Sequence, residues 1–164
     1  MKKTVEIISV LWEGPIEIID FFKFNSTDEK SFDLYQIYGT HPIYGRSVLL
    51  YIGSTKRENQ RIKEHYESWM KYEFDSMQVF KGKVICIPGE KNEIGKEIVE
   101  KILVYYSAPA YNSNSISDLD SVIKENNELL ILNFGKAGQL PTEVSSLWYS
   151  TYDHLLEKNI ISIK

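Results

Sequence analysis

The chain has 164 residues, 43% of them hydrophobic and 26% charged, which excludes a disordered or collagen-like polypeptide and suits one domain with a sizeable core over 1–164. No apolar stretch approaches the ~20 residues that span a bilayer, and the single cysteine, Cys86, excludes a disulfide scaffold. A net charge of −4 predicts weak attraction to phosphate backbones and counts mildly against a nucleic-acid partner.

Met1-Lys2-Lys3 resembles a secretory n-region, but the apolar run after it carries Glu6 and ends at Trp12-Glu13-Gly14-Pro15 without a small-residue cleavage site. A soluble protein of a reducing, cytoplasmic compartment is expected, with no membrane partner. Val5–Trp12 reads as a strand and Pro15–Phe24 as a short helix. Leu34–Tyr38 and Ser47–Ile52 are rich in Ile, Val, Leu and Tyr, and Gly39 to Arg46 between them suits a hairpin, so the two runs should pair antiparallel. A helix follows over Lys56–Tyr72, N-capped by Ser54 or Thr55, with Ile62, Tyr66 and Trp69 as its inward stripe. Met77–Phe80 and Val84–Ile87 read as further strand. Ile94–Ser107 is an amphipathic helix with Ile94, Ile98, Ile102 and Tyr105 on one face, closed by Ala108-Pro109. A helix near Leu119–Asn126, a strand at Leu129–Phe134 and a terminal helix near Glu143–Glu157 complete the chain. The polar stretches Asn25–Glu29, Gly89–Asn92 and Ser113–Ser117 read as surface loops. The order β, β, α, β, α in the middle implies an α+β fold with a small antiparallel sheet.

Charge is uneven. From Ile43 to Tyr72 six basic residues (Arg46, Lys56, Arg57, Arg61, Lys63, Lys71) face three glutamates, a balance of +3 that leaves −7 elsewhere. Such a patch suits transient contact with a polyanion, although a solvated helix face carries the same residues.

Four elements in fixed order carry the chemistry. Asp33-Leu34-Tyr35 opens one strand and Tyr51-Ile52-Gly53 closes its partner. Arg61 and His65 lie one turn apart on the next helix, and Glu100 is followed by Pro109 and Asn112. Here the chain resembles the GIY-YIG nuclease family. Tyr51-Ile52-Gly53 matches the second half of that name, Arg61 falls ten positions after Tyr51, and Glu100 to Asn112 is similar to the family's closing motif. The resemblance covers roughly 33–112, the expected nuclease core, with 1–32 and 113–164 as flanks packed on it. Two positions depart from the pattern: Asp33-Leu34-Tyr35 replaces Gly-Ile-Tyr, and Ser54 stands where some relatives carry lysine, with Lys56 two places on.

The resemblance implies a GIY-YIG-like fold, an about three-stranded antiparallel sheet flanked by helices. It also implies a metal-dependent endonuclease that hydrolyses DNA. Arg61 would supply a guanidinium fork for the charge developing on phosphorus. Glu100 would be the metal ligand, since Mg²⁺ or Mn²⁺ needs only one or two carboxylates plus waters. Tyr35 or Tyr51 would be the general base, its pKa lowered by the metal and Arg61. His65 is a second base or an orienter of Tyr35, and Asn112 would hold the site by hydrogen bonding.

Plainer roles fit the same residues. Tyr35 and Tyr51 suit strand aromatics, Arg61 and His65 a solvated face, and Asn112 a turn after proline. Periodicity does not separate Glu100 from Glu97 or Glu93; only the spacing to Pro109 and Asn112 does. Cys86 reads as a small buried hydrophobe, and His41 and His154 have no companions at metal-ligand spacing. DNA affinity should be weak, since no attached recognition domain is visible; either the flanks read the substrate, the protein forms a homodimer, or a recruiting protein delivers it. Restriction or defence, repair and mobile-element mobility are all open roles. The rivals are a catalytically silent module of this fold that binds nucleic acid or protein, and an RNase with the same site.

Overall fold

In the computed structural model the described residues are 5–24, 32–54, 58–72, 76–85, 95–112 and 128–146. They form β1 (Val5–Glu17), α1 (Ile18–Phe24), β2 (Leu34–His41), β3 (Gly45–Ser54), α2 (Glu58–Ser68), a 3₁₀ turn (Met70–Tyr72), β4 (Gln78–Ile85), α3 (Lys96–Ser107), β5 (Glu128–Gly135) and β6 (Glu143–Ser145). No helix among them is long and apolar enough to cross a membrane.

All six strands lie in one sheet in the order β3-β2-β4-β1-β5-β6. The pairing is antiparallel except for the parallel pair β1–β5. This overturns the expected three-stranded antiparallel sheet. The two flanks do not brace a finished core but add strands to it. β4 bonds β2 on one side and β1 on the other, and β1 in turn pairs Val5 with Glu128. Local alternation marks a strand without naming its neighbour, and a partner more than a hundred residues away leaves no trace in a short sequence window.

Period-two alternation divides the apolar residues between the sheet's faces. Ile8, Val10, Trp12 and Leu34 pack with Val99, Ile102 and Leu103 of α3. Tyr35, Ile37 and Val79 pack on the other face with Phe21 of α1 and Ile62 of α2. Trp12 stands opposite Gly82, where a Cβ would lie 2.6 Å from Cζ3 of its ring. Its indole N–H donates to Asn133 Oδ1 at 2.8 Å, tying β1 to β5 through a buried polar pair.

Several boundaries differ from expectation. Pro15 lies within β1, and the helix begins only at Ile18. The two runs read around Gly82 are one strand, β4. Glu143–Ser145, read as the start of a helix, is a strand held by Leu130, Ile131 and Leu132 of β5. The loops Asn25–Glu29, Gly89–Asn92 and Ser113–Ser117, the helix Leu119–Asn126, residues 147–157 of the expected terminal helix, and Thr55, Lys56, Arg57, Cys86, Glu93, Ile94 and His154 lie outside the described residues.

β3 is the last strand of the sheet, and the chain leaving α3 runs along its outer edge. Ala110 N donates to Leu49 O at 3.2 Å and Tyr111 N to Leu50 O at 2.8 Å. Those bonds satisfy backbone groups that an edge strand otherwise leaves open, and they deliver Asn112 to β3.

Candidate active site

Tyr35 pairs with Gly53 across β2 and β3, and the glycine is there for space. A Cβ at 53 would sit 2.5 Å from Tyr35 Cζ and OH, so the phenol ring lies directly over the glycine of the Tyr-Ile-Gly motif. Tyr51 shares the Tyr35 face by plain alternation, since Ile37, two residues on from Tyr35, pairs with Tyr51, two residues before Gly53; a bulge follows. Ile37 pairs with Tyr51 but Tyr38 with Leu49, so Leu50 is an extra residue, and Leu50 and Tyr51 join the same cluster. The two phenol rings stack with centroids 6.0 Å apart.

α2 brings His65 and Arg61 to this face. Its buried Ile62 anchors it, and the next residues along the same helical turn lean over the tyrosines. The buried His65 ring lies 3.0 Å through Nε2 from the Tyr35 oxygen. Trp69 Nε1–H donates to His65 Nδ1 at 3.1 Å. Indole nitrogen is only a donor, so Nδ1 accepts, and the neutral ring carries its proton on Nε2 and donates to Tyr35. Burial, aided by the Arg61 charge, pushes the His65 pKa down to about 4, which keeps the ring neutral at pH 7. Arg61, half-exposed, holds Glu64 at 2.8 Å, and its charge acts on the hydroxyls of Tyr35 and Tyr51.

Burial raises the pKa of both tyrosines above the ordinary phenol value, and the Glu100 charge adds to this. Arg61 opposes the rise but does not cancel it. The expected depression of a tyrosine pKa is therefore not a property of the protein groups themselves.

Glu100 comes from α3, whose Val99, Ile102 and Leu103 are fully buried. Its Oε2 accepts from Ser54 N at 2.9 Å, and burial raises its carboxyl above the ordinary value. Glu97, one turn earlier, is exposed. Asn112 is buried and clasps one residue of β3: Oδ1 accepts from Ile52 N at 2.9 Å, and Nδ2 donates to Ile52 O at 2.8 Å. It extends the edge ladder as a strand would, and so sets the height at which Tyr51 and Gly53 flank it.

Five side chains from four elements thus converge at the Ser54 end of β3: Tyr35, Tyr51, Arg61, His65 and Glu100. Asn112 stands behind them as a brace. Asp33 is not among them. Its carboxylate accepts from Val84 N at 3.0 Å and lies 3.4 Å from Lys83 Nζ and 3.8 Å from Lys96 Nζ. The first-motif departure therefore ties the start of β2 to β4 and α3. Sequence reasoning placed Trp69 only in the helix core stripe, and Ser54 as an N-cap and as the residue standing where some relatives carry lysine. The first orders His65 and the second, still in β3, orders Glu100. The i, i+4 spacing of His65 and Trp69 was the available signal for that pair.

Among the described residues no group of three or more His, Cys, Asp or Glu side chains is placed to hold a metal ion. Glu100 by itself fits a cation that keeps most of its waters. It is a partly buried carboxylate oriented through one oxygen by a backbone amide, with its charge felt by both tyrosines. No family model matches the chain, and no curated protein or solved structure is significantly similar to it.

Proposed function

We propose that the chain is a GIY-YIG-like endonuclease that hydrolyses DNA phosphodiester bonds with Mg²⁺ or Mn²⁺ held at Glu100. The observation that carries this reading is the convergence of Tyr35, Tyr51, Arg61, His65 and Glu100 from β2, β3, α2 and α3. Packing alone asks for no cation, carboxylate, imidazole and paired phenols at one strand end.

Tyr35 is fully buried whereas Tyr51 is half-buried, so Tyr51 is the hydroxyl that meets an attacking water. Tyr35, held by His65, positions it. Arg61 favours the phenolate form of Tyr51 and offers its fork to the phosphoryl oxygens as charge builds. His65 has both ring nitrogens engaged and acts by fixing Tyr35 rather than by taking the water's proton. A divalent cation at Glu100 would neutralise charge on the phosphate and the departing oxygen. A cytoplasmic site of action on DNA, with a second copy or a protein partner aiding recruitment, goes with this reading.

A silent nucleic-acid-binding module is favoured by one observation, the burial that keeps both phenols and Glu100 protonated more readily than usual. Nicking of supercoiled plasmid with Mg²⁺, Mn²⁺ or EDTA separates the two, with structured RNA as the parallel substrate. Metal-dependent nicking that is lost in Glu100→Gln and Arg61→Ala is expected. Cutting by Glu100→Gln at the wild-type rate refutes the metal assignment, and no cutting by wild type leaves the binding module.

A further inference from the structure

A cavity of about 400 Å³ opens beside the far end of β3, between the β2–β3 hairpin, the end of α3 and the β5–β6 loop. Its size lies in the range of roughly 300–1,000 Å³ usual for small-molecule sites. Tyr44, Val48, Leu49 and Pro141 give it aromatic and aliphatic walls, and Ser107 and Gln139 give it polar ones. The Ser107 hydroxyl oxygen is buried and finds no hydrogen-bond partner among the described residues. A buried hydroxyl left unbonded is unfavourable, and such groups in native folds commonly await a ligand or water.

The cavity is joined to the candidate active site by an unbroken series of rings on one face. Tyr51 contacts His65 (centroids 4.5 Å apart), His65 contacts Trp69 (6.0 Å), Trp69 contacts Tyr111 (5.1 Å), Tyr111 contacts His41 (5.5 Å) and His41 stacks on Tyr44 (4.6 Å). Tyr44 is 67% exposed and Ile43 beside it 81%. Large apolar groups held out on a hairpin turn suit stacking against a base. Six residue steps along β3 lead from Val48 to Ser54, about 20 Å at ~3.3 Å per step. That is about six base-pair steps at ~3.4 Å each.

We infer that this cavity takes one unpaired nucleobase of the DNA substrate, stacked against Tyr44 and hydrogen-bonded to Ser107, about six steps from the scissile phosphate. The inference rests on the nuclease reading above and makes the enzyme selective for bulged, flapped or branched DNA.

The test is fluorescence anisotropy of the full chain in EDTA, with a short duplex carrying one unpaired purine and the same duplex fully paired. Wild type should prefer the bulged duplex by about 10-fold, the range that one base–aromatic contact supplies. Tyr44→Ala should abolish the preference, and Ser107→Ala should reduce it about fivefold, as loss of one hydrogen bond does. Thermal melting should show Ser107→Ala as stable as wild type or more so, because the unbonded hydroxyl is gone. Equal binding of the two duplexes by wild type, or an unchanged preference in both variants, overturns the inference. Mg²⁺-dependent nicking with no preference leaves the nuclease reading standing and the base pocket refuted. Preference without nicking does the reverse.

Discussion

Acidification should destabilise this protein through His65 well before its carboxylates are generally protonated. The buried ring titrates near pH 4 in the fold against an ordinary value of 6.5. Between those values the unfolded chain binds a proton that the folded chain refuses, so stability falls as pH falls. The contribution is fully present above pH 6.5 and declines at about 1.4 kcal/mol per pH unit below it, reaching about 3 kcal/mol near pH 4. Glu100 acts with the opposite sign. Its raised carboxyl binds a proton in the fold before it does in the unfolded chain, so it recovers some stability as pH drops towards the ordinary carboxylate range. The net slope between pH 6.5 and 5 should still carry the His65 sign. Urea unfolding followed by circular dichroism across that interval, on wild type and His65→Gln, measures it. Glutamine keeps an N–H donor towards Tyr35 but does not titrate, so its slope should be flatter by about one proton. Parallel slopes for the two proteins would refute the buried neutral imidazole.

Other perturbations test the remaining contacts. Gly53→Ala drives a methyl into the Tyr35 ring and should cost about 1–3 kcal/mol by overpacking, with loss of nicking because the hydroxyl is displaced; unchanged melting would disprove the close approach. Asn112→Ala leaves the buried Ile52 N–H and C=O without partners, at about 1–3 kcal/mol for each group, and hydrogen exchange at the Ile52 amide should accelerate. In Trp69→Phe the hydrogen bond that favours neutral His65 is gone, so the ring pKa followed by NMR should rise by up to about one unit. An unmoved titration would mean that the tautomer is set elsewhere.

Local features of the chain pointed to much of the candidate site. Gly39 to Arg46 between two β-branched and aromatic runs announced the hairpin, and the i, i+4 spacing of Arg61 and His65 put them on one helical face. Spacing alone chose Glu100 over Glu97, and it is Glu100 that reaches Ser54. These readings work because turns, helical periodicity and motif spacing are short-range properties.

Other features arise only once distant segments meet. The strand count is one: β1 and β5 pair in parallel across more than a hundred residues, and alternation in either strand is silent about the other. The bulge at Leu50 is another, since a single unpaired residue places Leu50 beside Tyr51 in the same cluster without any mark in the composition of the strand. The direction of the tyrosine shifts is a third. The resemblance implied a tyrosine pKa lowered by a metal and Arg61, whereas within the protein alone burial raises both. Desolvation depends on how much of the surrounding chain closes over a hydroxyl, a quantity that exists only in the folded molecule. The residue types and their order were thus written in the sequence, while the partners, register and dielectric surroundings of those residues came from tertiary packing.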